Sequence, residues 1–132
     1  MKSLLFDTRV LVDILRGNAG AIAYHDGLIE RMGNDPTPTM AVSVVTAHEL
    51  HRGMRTRESV RTGRLIGSFT VMPVDEDLAR LSGPLGRRYA KSHALGLGDI
   101  LIAATADATA AELVTCNLKH FPLFPDLERP YP

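Results

Sequence analysis

The sequence has a single cysteine, Cys116. It can form no internal disulfide, and it suits a reducing compartment. It has no excess of charge of either sign. Fifteen Lys and Arg face fifteen Asp and Glu, for a net charge of +0. That balance excludes a histone-like protein or one that binds nucleic acid through a basic tail. No apolar run reaches the ~20 residues needed to cross a bilayer. The opening MKSLLFDTRVLVDILRG has some look of a signal peptide, but Asp7, Arg9 and Asp13 break its apolar stretch and no small-residue cleavage pattern follows. Repeats, low-complexity tracts and linkers are also missing. With 132 residues, 45% of them hydrophobic, the chain can bury one core. The expectation is a cytoplasmic protein with one domain over 1–132 and no membrane association.

The local patterns alternate between strand and helix. Strands are predicted at 3–7, 39–44, 69–74 and 112–115. A helix over 8–16 is stopped by Gly17 and Asn18. A second, about 20–32, has Ile22, Leu28, Ile29 and Met32 as its apolar positions. GNDPTP at 33–38 reads as a turn. A third helix starts near 46, breaks near Thr56, and more helix follows to about 66. A long helix over roughly 76–92 carries Leu78, Leu81 and Leu85 on one face. GLG at 96–98 precedes a helix over 99–109. The tail LFPDLERPYP is too rich in proline for more than a short edge strand. Strands alternating with helices imply parallel crossovers and an α/β sandwich.

Four of these elements carry a metal-capable side chain at a strand end or a helix start. They are Asp7 in LLFDT, Glu49 in VVTAHEL, Asp99 in GLGDILIAATA and Asn117 in LVTCN. Ligands of open α/β sheets collect at the carboxyl ends of the strands. Three carboxylates gathered there repel one another unless a hard cation neutralises them. The set therefore points to Mg²⁺, with Mn²⁺ as a substitute.

Each residue also has a plainer reading. Asp7 can begin the following helix, although Thr8 can do that instead. Thr46-x-x-Glu49 matches a capping box. Asp99 can be an N-cap, but it shares a helical face with Ile102, Ala103 and Ala106. A carboxylate leading an apolar stripe needs a partner. Asn117 can be a turn residue. His48 and His51 lie in HELH, which lacks the i, i+4 spacing of a zinc-binding HExxH. His25, His93 and His120 have no partner at ligand spacing.

Basic residues are clustered. Arg52, Arg55, Arg57, Arg61 and Arg64 form one group, opposed only by Glu58; Arg87, Arg88 and Lys91 form another. Each alone reads as a solvated helix face. Together, as a basic rim round an acidic centre, they suit a polyanionic substrate.

The blocks LLFDTRVLVDILRG, VSVVTAHELHRG, GLGDILIAATA and LVTCNLKHF resemble those of PIN-domain ribonucleases, and most of all the VapC-type toxins of toxin–antitoxin pairs. Asp7-Thr8 with Asp13, the Glu49-Leu50-x-x-Gly53 run, Asp99 before ILIAATA, and Thr115 with Asn117 carry the likeness. It departs at Arg9, where relatives usually have a small polar residue, and at Asn117, where many have Asp. The resemblance implies a PIN-like three-layer α/β/α sandwich with a mainly parallel sheet of four to five strands. It implies an endoribonuclease that uses Mg²⁺ or Mn²⁺ and leaves 5′-phosphate and 3′-hydroxyl ends. Asp7 and Asp99 would be the main ligands, with Glu49 and Asn117 closing the shell. Thr8 or Thr115 would orient water or phosphate; Arg9, a departure two residues from Asp7, would either contact phosphate or weaken metal binding. Asp13 is read as structural, pairing with a nearby Arg or a backbone amide. The implied partners are an RNA substrate, a second copy of the chain, and a small antitoxin that covers the groove. Two other readings stand beside it. One is a receiver-like signalling domain with Asp75 as phosphoacceptor and Lys119 as its lysine. The other is an RNA-binding PIN fold with weak catalysis.

Overall fold

The computed structural model describes residues 3–33, 39–93 and 95–132. Among them are four strands and six α-helices: β1 (Leu4–Phe6), α1 (Thr8–Leu15), α2 (Ala19–Met32), β2 (Met40–Ser43), α3 (Val44–Gly53), α4 (Ser59–Gly67), β3 (Thr70–Met72), α5 (Glu76–His93), α6 (Leu97–Thr109) and β4 (Glu112–Val114). Single turns of 3₁₀ helix at Thr56–Glu58 and Leu118–His120 complete the list. The turn expected at 33–38 lies, from 34 onward, outside the described residues.

The strands form one sheet in the order β3-β2-β1-β4, and every pair is parallel. Phe6 stands opposite Val42 on one side and Val114 on the other. The strand residues alternate between two cores, as a period of two requires. Leu4, Phe6, Met40, Val42 and Val114 pack with Val10, Leu11, Leu28, Leu50 and Leu65 of α1 to α4. Leu5, Ala41 and Leu113 pack with Ile102, Ala103 and Ala106 of α6 on the opposite face. That burial on both faces explains why the strands read as continuous apolar runs. It also gives the expected three layers.

The chain order fixes where a ligand can sit. From β1 the chain moves outward to β2 and β3, then returns through α5 and α6 to β4 on the far side of β1. The direction of winding reverses between β1 and β4, and a crevice opens there at the carboxyl ends.

Several local expectations need correction. The capping box at Thr46 and Glu49 does not form. Helix α3 begins earlier, and Ser43 caps it by accepting the N–H of Val45 at 3.1 Å. On α2 the buried positions are Ala21, His25 and Leu28, while Ile29 is 44% exposed. On α5 Leu78 and Ser82 are buried, but Leu81 is 47% exposed, because i, i+4 spacing keeps a face better than i, i+3 here. The tail adds no strand; it runs in turns, with Phe121 and Tyr131 buried.

Candidate active site

Asp7 follows β1 in extended backbone at the head of α1, yet its side chain makes no capping bond. It is 6% exposed, and Oδ2 accepts the Thr115 hydroxyl at 2.9 Å. Thr115 follows β4 and is fully buried, so this bond crosses the winding reversal. Burial pushes the Asp7 carboxyl above the usual carboxylate range, and the charges of Asp99 and Glu49 push it further. The Thr115 hydroxyl and the Thr8 N–H act in the other direction. A buried carboxylate facing two others is uphill to ionise. The Thr115 oxygen also accepts the Asn117 N–H at 3.0 Å. It thus holds Asp7 and the following loop.

Glu49 lies in the middle of α3. Its Oε1 accepts the Thr8 hydroxyl at 2.9 Å, and Thr8 Oγ1 stands 2.9 Å from Thr46 Oγ1. Since Thr8 donates to Glu49, Thr46 is the donor in that second bond. Thr8 thus steadies Glu49. Helix α6 meets α3 at the same point. A Cβ at Gly98 would stand 3.5 Å from Glu49 Oε1, an ordinary contact distance, so the start of α6 lies directly beside Glu49. Asp99 is not the N-cap of α6; that place belongs to Gly96. It stands in the first helical turn, with the apolar stripe of Ile102, Ala103 and Ala106 buried behind it.

These side chains line one open cleft of about 610 Å³, with Asp7, Glu49, Asp99 and Asn117 on its wall. Asn117 is exposed and precedes the 3₁₀ turn, but its side chain caps nothing. Two cleft residues carried no signal in the sequence. His120 Nδ1 stands 3.3 Å from Asp99 Oδ2; the contact spans unrelated segments, so no spacing rule reveals it. Arg129 also lines the cleft, from a tail that reads only as proline-rich. Asp13 lies there too, paired with Arg9 at 3.3 Å as the structural reading expects.

Of the basic residues singled out in the sequence, Arg9 lines the cleft. Arg61 and Arg64 line a separate depression beside Arg16, where Arg61 donates to the Leu15 carbonyl. Arg52, Arg55 and Arg57 are exposed around the turn after α3, and Arg87, Arg88 and Lys91 are exposed on α5. The receiver reading loses its acid. Asp75 Oδ1 accepts the Leu78 N–H at 2.9 Å and caps α5 at the edge of the sheet.

Among the described residues, no group of three or more His, Cys, Asp or Glu side chains is drawn together closely enough to hold a metal ion by itself, Asp7, Glu49 and Asp99 included. The zinc reading of His48 and His51 therefore has no third ligand. An open acidic cleft fits a hard cation better. Mg²⁺ keeps several waters and is commonly held by one or two carboxylates together with substrate phosphate.

Comparison with known proteins agrees with this geometry. The PIN domain family model matches residues 4–124. The chain is similar to Ribonuclease VapC10 of Mycobacterium tuberculosis, with 44% identity over 129 residues, covering 97% of this chain and 92% of that protein. It is also similar to Ribonuclease VapC19 of Mycobacterium tuberculosis, with 40% identity over 129 residues, covering 96% of this chain and 98% of that protein. Among solved structures it is similar to a toxin-antitoxin complex from Klebsiella pneumoniae, with a TM-score of 0.73, 28% identity and 98% of each chain covered. The family match takes in all four strands and the cleft from Asp7 to His120, and the chain therefore belongs to the PIN-domain family.

Proposed function

We propose that this protein is a metal-dependent endoribonuclease and the toxin of a toxin–antitoxin pair. The observation that carries the reading is the cleft itself. It brings Asp7, Glu49 and Asp99 together from three separate elements, with Asp7 buried and reluctant to ionise without a cation. The names of the relatives, both ribonucleases, and the toxin-antitoxin complex of similar fold support the same conclusion. Its partners in this reading are RNA and an antitoxin, which those names support, together with a second copy of the chain.

The reaction is hydrolysis of an RNA phosphodiester. Water attacks phosphorus, the bond to the 3′ oxygen breaks, and that oxygen leaves with a proton. One product then ends in a 5′-phosphate and the other in a 3′-hydroxyl. A Mg²⁺ or Mn²⁺ ion held by Asp7 and Asp99, with Glu49 and Asn117 nearby, would supply Lewis acidity and ease loss of the proton from water. The chain supplies the rest. Thr115 fixes Asp7, Thr8 fixes Glu49, and His120 steadies Asp99. Asn117 brings an oxygen without charge, so the cleft repels phosphate less than a fourth carboxylate would make it do.

The test is to incubate the antitoxin-free protein with single-stranded RNA and Mg²⁺ and to identify the new ends. Fragments with 5′-phosphates are expected; an intact RNA pool would overturn the reading. Glu49→Gln sharpens it. The amide keeps the acceptor for Thr8 and removes the charge, so the melting temperature is expected to stay within a degree or two. Cleavage is expected to fall about 10–100-fold, the range for groups that tune a metal site. Unchanged cleavage in this variant would remove Glu49 from the active site.

A further inference from the structure

One residue lining the acidic cleft, Arg129, comes from the tail beyond the 4–124 span of the family match. Tyr131 is 6% exposed, and its hydroxyl donates to Asp13 Oδ2 at 2.8 Å. It seats tightly on α2, where a Cβ at Gly20 would stand 3.0 Å from the Tyr131 Cβ. A side chain at 20 would therefore need Tyr131 to give by a few tenths of an ångström, which marks close packing of the tail against α2. Two residues earlier, this anchored segment puts Arg129 on the cleft.

Arg129 is exposed, and only its Nε is engaged, donating to the Tyr131 carbonyl at a long 3.5 Å. Its two terminal nitrogens make no hydrogen bond among the described residues. The other cations of the cleft differ. Arg9 is tied to Asp13 at 3.3 Å, and His120 stands against Asp99 at 3.3 Å. Arg129 is thus the cleft cation with no carboxylate partner among the described residues. A guanidinium with an open fork binds phosphate in two parallel hydrogen bonds. The cleft needs such a group, because its acids repel a phosphodiester.

We propose that the C-terminal tail is part of the substrate site, with Tyr131 as its anchor and Arg129 as the contact to an RNA backbone phosphate. The inference rests on the nuclease reading of the cleft, and it is measured by binding so that the two can fail separately. The Asp7→Asn protein, expected to cleave at least ~10²-fold more slowly than the parent, is titrated into a labelled mixed-sequence single-stranded RNA in Mg²⁺, with and without Arg129→Ala.

Arg129→Ala is expected to weaken binding about 10-fold, the scale of a charged hydrogen-bond pair. It is expected to lower the log–log salt slope by about 0.7, the share of one phosphate on a single strand. Arg129→Lys restores the slope but not all the affinity. Tyr131→Phe, which touches no RNA, loses a smaller part of the affinity by releasing the tail from Asp13. In the otherwise unchanged enzyme, Arg129→Ala raises KM more than it lowers kcat. Unchanged affinity overturns the inference, and so does a loss of affinity without a change of slope, which marks a structural role. Failure of the parent protein to cleave RNA overturns the nuclease reading, while the binding comparison still decides whether Arg129 holds RNA.

Discussion

Asp7→Asn is expected to lower RNA cleavage at least ~10²-fold, the scale on which loss of a central electrostatic group is felt, and at the same time to raise thermal stability at neutral pH. The two effects have one cause. The Asp7 carboxyl is held above its ordinary range by burial and by Asp99 and Glu49. The folded protein therefore binds this proton more tightly than the unfolded chain does. Where the native state holds more protons, stability falls as pH rises. Asp7 thus stabilises least above its raised native value and most below the ordinary carboxylate range. Asparagine keeps an oxygen for the Thr115 hydroxyl and carries no charge, so in chelator its melting temperature should exceed the parent's at pH 7 and match it more closely in acid. Mg²⁺ should raise the melting temperature of the parent at pH 7 and move the variant much less. A scan of both proteins against pH, in chelator and in Mg²⁺, makes the check. If Asp7→Asn is less stable than the parent at neutral pH in chelator, the electrostatic account of Asp7 is wrong. If it cleaves RNA at the parent's rate, Asp7 is not the centre of the site.

Phe6→Ala is expected to cost about 3–5 kcal/mol, the range for removing a buried aromatic ring. Phe6 has no exposed surface, pairs edge-on with Phe69 at 4.9 Å, and lies 6.0 Å from Tyr24. The central strand is flanked by β2 and β4, so the cavity has little room to collapse. Against a typical total of about 5–15 kcal/mol, that loss leaves a marginal protein. Phe6 also precedes Asp7, so cleavage should drop in parallel with the folded fraction. Urea unfolding should show a lower midpoint at a similar slope. Leu81→Ala on the exposed face of α5 is the control, expected within about 0.5 kcal/mol of the parent. A loss below ~1 kcal/mol for Phe6→Ala would mean the core is not organised round this ring.

The order of elements was legible in the sequence because apolar runs of strand length alternate with helical stretches. Asp7, Asp99 and Asn117 were legible because each stands at or near the end of a strand or the start of a helix, whereas Glu49, in the middle of α3, was legible only from its residue type and motif. The roles of individual groups were harder to read. Thr46-x-x-Glu49 satisfies the capping pattern, yet Ser43 takes the cap because the helix begins where β2 ends. The arginines from 52 to 64 are close in sequence, but they are divided between α3, the turn at Thr56–Glu58 and α4, and none of them lines the cleft.

The sequence by itself determined the layer architecture and the chemistry available to it. Both depend on local periodicity and residue type, which the chain carries at each position. Only the tertiary structure decided which groups meet. Thr115 reaches Asp7 across 108 positions, Tyr131 reaches Asp13 across 118, and His120 reaches Asp99 across 21. Such contacts have no repeat in the chain to betray them. They exist because β4 returns to the far side of β1 and the tail folds back over α1 and α2, and those are consequences of packing as a whole.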